Sequence, residues 1–494
     1  MITEKCGLEI LKSTLPREEW RMKKVGLVCV LICLCFALFA DASTAMLESW
    51  NKLSEDEKWF CLLSEPLIEA NQLSITTVNP ERYVPAGKRS ISQQILEDSW
   101  ELYSREDVLA IANDYRFKRT GPSARYNELR ELLSQTTQKS VQAAVEEIAV
   151  KNCLESYVIA RLYFVADKLD ILGEYGLLAW DYGRMLSVIR RSIAVGWLSE
   201  EEALEVAKPF IDEVINAYDS WEDYAVHYSL GSVFHAINEG VDYNASLNSV
   251  LEDAKKYDIV VSEDEKDKVF TCHYAKFPGK NRNDNRILTY KDAFYNPSKE
   301  AASWIVAAKV ERNSNGATKA EAAAANSFLK KKKNIPAAAY RLALLQTNGK
   351  NFVLKTASKA FEEALPAFEK VENPSELYFV FYIRYAFIAY CSNDMKKMDS
   401  VIPKFSKGTF ETADLQYIYC IYYTEKAKTA GYNKKYEDAI EYAKSALFCL
   451  KQSDSLQYLG LFDKEILRDY DKKLNGMIEK YRHELRQIEK QRSA

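Results

Sequence analysis

Asp181 and Arg184 stand three residues apart in a stretch that reads as helix, so a carboxylate and a guanidinium share one face. Trp180 precedes them, Trp221 follows, and Tyr182 and Tyr224 add polar tips to apolar bodies. Two readings follow. In one, Trp180, Asp181, Arg184 and Trp221 line a polar-aromatic pocket that binds a ligand or peptide. In the other, the ion pair orients two packed helices and the tryptophans fill their interface.

Other chemistry-bearing residues are thin on the chain. His227 and His235 are eight apart, just over two helical turns, so they share a face and cannot meet. His273 sits in a polar segment and His483 near the tail. The H-E-x-x-H, G-x-S-x-G, Walker and G-x-G-x-x-G patterns are all missing, so no catalytic residue, metal or cofactor is expected. Acidic pairs abound, as any helix-rich surface supplies them, and an enzyme built on carboxylates alone stays open. Beyond residue 42, the cysteines are Cys61, Cys153, Cys272, Cys391, Cys420 and Cys449. An even count permits disulfides in an exported chain. The last three, however, lie in aromatic stretches and read as small core hydrophobes.

The elements that must position these residues are helices. Ser54-x-x-Glu57, Ser104-x-x-Asp107, Ser199-x-x-Glu202 and Ser220-x-x-Asp223 all have capping-box spacing. Between them run amphipathic stretches such as 141–169, so a helical domain is expected over 43–245. Within it, Ala179-Trp180-Asp181-Tyr182-Gly183-Arg184 is followed by Gly196-Trp197-Leu198-Ser199-Glu200-Glu201-Glu202-Ala203, by Ser220-Trp221-Glu222-Asp223-Tyr224 and by Leu230-Gly231. Upstream stand Asp98-Ser99-Trp100, Ser104-Arg105-Glu106-Asp107 and Gly121-Pro122-Ser123-Ala124-Arg125-Tyr126. This order, over 95–240, resembles the bacterial family called domain of unknown function 1266. The family commonly carries a histidine where Pro122 stands. The resemblance implies an all-helical domain and no established activity.

Residues 246–300 read as a linker region. The β-prone runs 257–261 and 269–274 flank an acidic-basic turn, which predicts one short hairpin, and 277–285 carries a strong loop signal. An Ala/Lys-rich helical segment covers 301–334, broken at 313–316. Its run Lys330 to Lys333 is either an anion contact or a solvated helix end. Beyond it, helix pairs start near Pro336, Pro374 and Ala413, which suggests a repeated unit. Tyr436-Glu437-Asp438-Ala439 through Ala443 and Ala446-Leu447, with Ala427 twelve residues before Ala439, resembles a tetratricopeptide repeat. A stacked, tetratricopeptide-like array is therefore expected over 335–452, with a long capping helix over 453–494. Tyr378, Tyr382, Tyr385, Tyr419 and Tyr423 crowd its helices beyond what one buried face needs, and are the candidates for a peptide groove. The tail helix is the candidate for self-association.

Lys23 and Lys24 precede an unbroken apolar run, 25–40, and then Ala40-Asp41-Ala42. This is the pattern of a secretory signal peptide cleaved near Ala42; Met22, directly before the lysines, suggests an over-extended start, with Met1 or Met22 as the true one. An uncleaved segment would instead anchor the chain in the inner membrane. The whole is 494 residues with 28% charged and 47% hydrophobic side chains, and only 17 glycines and 12 prolines, which favours helix over turn-rich β structure. Its net charge of −4 conceals two halves of opposite sign, since residues 1–270 hold 29 basic and 45 acidic side chains. The expectation is an exported, all-α protein of the periplasm or cell envelope. Its repeats would engage a protein or peptide partner, and no nucleic acid is expected. A ligand sensor or hydrolase acting through 95–240, and a self-associating structural envelope protein, are the alternatives.

Overall fold

A computed structural model describes residues 48–64, 73–74, 76–82, 84, 90–239, 288, 290–312, 317–347 and 353–493. The apolar leader at 25–40, the expected hairpin at 257–274, the loop 277–285, the break at 313–316, His273 and Cys272 lie outside the described residues. Every regular element among the described residues is helical, so the fold is all-α. None of these helices is long and apolar enough to cross a membrane.

In chain order the helices are α1 (Glu55–Leu63), α2 (Ile91–Trp100), α3 (Arg105–Arg116), α4 (Gly121–Ser134), α5 (Val141–Lys151), α6 (Ser156–Leu172), α7 (Leu178–Ala194), α8 (Glu200–Ala217) and α9 (Trp221–Glu239). Then come α10 (Lys299–Arg312), α11 (Lys319–Lys331), α12 (Pro336–Leu345), α13 (Leu354–Phe368), α14 (Glu376–Cys391), α15 (Met395–Val401), α16 (Ala413–Tyr432), α17 (Tyr436–Ser453) and α18 (Tyr470–Ser493). The serine spacings explain several starts. Ser54 and Ser199 form reciprocal boxes with Glu57 and Glu202. Ser104 and Ser220 accept from Asp107 and Asp223, but those carboxylates reach one residue further back, to the N–H groups of Tyr103 and Asp219. A further box, Thr318 with Glu321, opens α11.

Helix ends are less legible. The amphipathic stretch 141–169 is two helices, because α5 stops in a Schellman turn. Leu154 N–H bonds to Ala149 C=O at 3.0 Å, and Cys153 takes the left-handed position at φ 51°. α14 and α16 close the same way with Asn393 at φ 54° and Lys434 at φ 60°. Glycine normally occupies that position. A chain with little glycine instead meets a cost of about 1 kcal/mol at each such turn.

By compactness the described residues fall into two units, one comprising 48–125, 171–232 and 288–294, the other 126–170, 233–239 and 295–493. This division interleaves along the chain and differs from the linear division drawn from motifs. In the first unit the core is built on α7, with Trp59, Phe60, Met185, Ile189, Phe210, Val214, Tyr218 and Tyr224 all buried. In the second unit helical hairpins stack: α12 with α13, α14 with α15, and α16 with α17. Ala427, Ala439, Ala443 and Ala446 are fully buried, and such small side chains let paired helices approach closely. Phe368 and Phe381 stack with ring centres 3.8 Å apart between successive hairpins. The capping helix starts only at Tyr470, because 457–461 is tied to α16. The Asp414 carboxylate accepts from Leu459 and Leu461 N–H at 2.6 and 2.9 Å.

The second unit also holds a titratable carboxyl in an unusual place. Glu311 near the end of α10 accepts from the Ser156 hydroxyl at 2.8 Å. Desolvation by the protein pushes it up to about 7, opposed by that hydroxyl and by the Arg341 guanidinium, and aided by Glu155. A carboxyl raised on folding binds its proton more tightly in the native state. Stability is therefore highest below the unfolded value of about 4.3 and falls as pH rises through about 7. Thermal melts from pH 4.5 to 8 should show this slope in the native chain and a flatter one in Glu311→Gln. Equal slopes would contradict the assignment.

Candidate functional site

α7 is buried nearly all round, from Leu178 to Ile193. A polar side chain on such a helix must find its partner inside the protein. Asp181 does so with both oxygens. Oδ1 accepts from Arg184 Nη2 at 3.0 Å, and Oδ2 accepts from the Ser123 backbone N–H at 2.7 Å. Ser123 is in the first turn of α4, so Asp181 caps that helix from a distance in sequence and complements its positive end. Burial pushes the Asp181 carboxyl above the usual range, opposed by Arg184 and by the Ser123 contact. Gly121 opens α4 at φ 85°. A Cβ there would stand 2.9 Å from Tyr115 and 3.1 Å from Asp181 Oδ2, so only glycine suits this approach.

Arg184 is held as tightly. Its guanidinium lies 4.9 Å from the Trp180 ring centre and 5.5 Å from that of Trp100, and it donates to the Tyr115 hydroxyl at 3.3 Å. Trp180, Asp181 and Arg184 are thus brought together, as the sequence reading required. Trp221 sits elsewhere in the same core, stacked on Trp59 at 5.2 Å and edge-on to Tyr224 at 5.8 Å. Gly231 completes the motif set. A Cβ on it would fall 2.2 Å from Trp180 Cβ, so the glycine lets α9 meet α7 at the tryptophan. Asp181, Gly121, Trp180 and Gly231 thus sit where α7 meets α4 and α9.

The sequence reading missed the strongest polar contact on α7. Arg190 is fully buried. Its Nε donates to Val78 O at 3.3 Å, Nη1 to Cys61 O and Ser64 Oγ at 3.2 and 2.8 Å, and Nη2 to Ser74 O and Thr77 O at 2.9 and 2.5 Å. All five guanidinium donors are matched, which ties the end of α1 and the carbonyls of Ser74, Thr77 and Val78 to α7. The one sequence signal was an Arg190-Arg191 pair inside an otherwise apolar face. His227 is buried in the same unit, with Nδ1 3.1 Å from Gly176 O and Nε2 3.6 Å from Asp223. Among the described residues no group of three metal-ligating side chains lies close enough to hold an ion.

In the second unit the five tyrosines part company. Tyr378, Tyr382 and Tyr385 are interior residues, at most 3% exposed, and fill the space against Phe368 and Phe381. They offer nothing to a partner. Tyr419 and Tyr423 of α16 remain at the surface and line a groove of about 620 Å³ with Gln416, Lys444, Phe448 and Cys449. Tyr419, Tyr423 and Tyr442 form a run of nearly parallel rings 6.4 Å apart. Phe448 is 63% exposed, which is high for so large an apolar side chain. The cysteines described, Cys61, Cys153, Cys391, Cys420 and Cys449, are all free thiols. Burial pushes the Cys449 thiol at the groove wall up to about 11.

Fold and site together define an all-α protein with one unit locked by internal polar contacts and another of stacked hairpins with an open aromatic groove. The family model described as "Protein of unknown function (DUF1266)" matches residues 95–260. The chain is similar to "Uncharacterized protein YbeU" of Escherichia coli (strain K12), 28% identical over 204 residues, covering 41% of this chain and 81% of that protein. It is also similar to "Uncharacterized protein YbeR" of the same organism, 37% identical over 72 residues, covering 15% of this chain and 31% of that protein. No solved structure matches the chain.

If Asp181 and Arg184 are structural, Arg184→Ala strands a buried carboxylate and should cost about 3–5 kcal/mol in urea unfolding. Adding Asp181→Asn should then cost less than the two single changes summed, a coupling that the double-mutant cycle measures. Unchanged stability in Arg184→Ala would instead favour the ligand pocket.

Proposed function

We propose that this is an exported protein- or peptide-binding scaffold of the cell envelope, with the groove between α16 and α17 as its recognition surface. The observation that carries the reading is an aromatic set on a stacked helical array, with Tyr442 and Phe448 exposed beside the partly buried Tyr419 and Tyr423. Aromatic side chains in grooves of this kind are the usual anchors of protein recognition. The signal-peptide pattern of residues 23–42 supports export. A ligand sensor or hydrolase acting through 95–240 has less support, because both oxygens of Asp181 are already engaged. The self-associating alternative rests on α18, whose Leu474, Ile478 and Tyr481 are buried in its own unit.

A photo-cross-linking residue at position 448, introduced into the full chain and irradiated in envelope extract, should trap a specific partner. Phe448→Ala with Tyr423→Ala should weaken capture of that partner by about tenfold or more, the usual loss at a hot spot. The melting temperature should fall only modestly, since Phe448 is exposed and Tyr423 is partly buried. Full capture by the double variant would refute the groove, and loss of capture on changing Arg184 in a folded variant would move recognition to the first unit.

A further inference from the structure

The second unit carries another opening, on different helices and of different chemistry. α11, α12 and α13 enclose a cleft of about 650 Å³, within the size range of small-molecule sites. Its floor is apolar, formed by Ala339, Leu342, Ala343, Leu345, Ala360 and Ala364. Its rim carries Lys330, Lys333 and Lys359, with Gln346 and Thr356 as neutral hydrogen-bonding groups.

The four-lysine run divides its labour. Lys332 points to other helices and is satisfied by Glu146 at 2.6 Å and by Glu300. Lys330 and Lys333 line the cleft, and neither has a carboxylate within ion-pair distance among the described residues. Lys359 has only Glu363, 3.8 Å away, with both side chains exposed. Such a pair is worth little. Three cations thus converge on one opening with a single weak counter-charge. Residues 271–494 carry 38 basic and 26 acidic side chains, so the wider field also attracts anions. Ammonium groups bind phosphate as point charges, and an apolar floor demands an apolar body on the same molecule.

We infer that this cleft binds an amphiphilic organic phosphate: the phosphate is held by Lys330, Lys333 and Lys359, and the apolar body lies on the alanine and leucine floor. The site is independent of the α16–α17 groove, so either assignment can fail without the other.

Calorimetry on the full chain would use three soluble probes below their micelle concentrations: a monoacylglycerol phosphate, the same monoacylglycerol without phosphate, and inorganic phosphate. The first should bind and the other two should bind at least about tenfold more weakly, since each lacks half of the recognition. Lys330→Ala with Lys333→Ala should weaken the first probe by about tenfold or more, with an unchanged melting temperature, since both side chains are exposed. Ala360→Phe, which fills the floor, should weaken it while leaving the lysines in place. Equal binding of inorganic phosphate would overturn the amphiphile class, and an unaffected lysine double variant would overturn the site. Binding to phosphatidylglycerol vesicles without binding to the soluble probe would replace the cleft with a membrane-surface contact.

Discussion

The first unit depends on a guanidinium with no access to water. Taking a charge out of solvent costs several kcal/mol unless its hydrogen-bonding capacity is met in full. Arg190 meets that condition with the carbonyls of Cys61, Ser74, Thr77 and Val78 and the hydroxyl of Ser64. The geometry leaves little freedom. α1 must end, and Ser74, Thr77 and Val78 must lie, where those oxygens face α7. The same constraint governs the rest of the helix. Asp181 is engaged by α4, and the Tyr182 hydroxyl donates to Glu213 at 2.6 Å. Ser187 and Ser192 bond back to carbonyls of their own helix. A helix buried on nearly all sides keeps these polar residues because their partners lie inside the protein.

The two units therefore differ in what they leave available. In the first, the charged and aromatic residues that invite a catalytic or binding reading are committed to one another. In the second, hairpin stacking uses alanines and the inner aromatics, and leaves Tyr419, Tyr423 and Phe448 on one opening and three lysines on another. Function is better sought where interaction capacity remains than where it has been used to close the core.

Much of the second unit was legible in the chain because its signals are local. Pro336 starts a helix through its fixed φ. Ala427 and Ala439 mark a close helix pair by size alone. In the first unit, the four serine spacings marked real helix starts. The end of α5 was not legible, since Cys153 gives no hint of a left-handed turn. The partners of Arg190 were hidden for another reason. They lie more than a hundred residues away in sequence, and all but the Ser64 hydroxyl are backbone oxygens, which carry no residue-type signature. Spacing alone brought Trp180, Asp181 and Arg184 together correctly. It could not tell Tyr378, Tyr382 and Tyr385, which face inward, from Tyr419 and Tyr423, which do not, because α14 is aromatic around its whole circumference.

The claim that one enclosed arginine ties the first unit together is tested most directly by amide hydrogen exchange of the native chain beside Arg190→Met. The account predicts that α1 and α7 lose protection together, by about a hundredfold or more, because the same contact holds both. Unchanged protection in α1, or loss confined to the turn of α7 around residue 190, would contradict it.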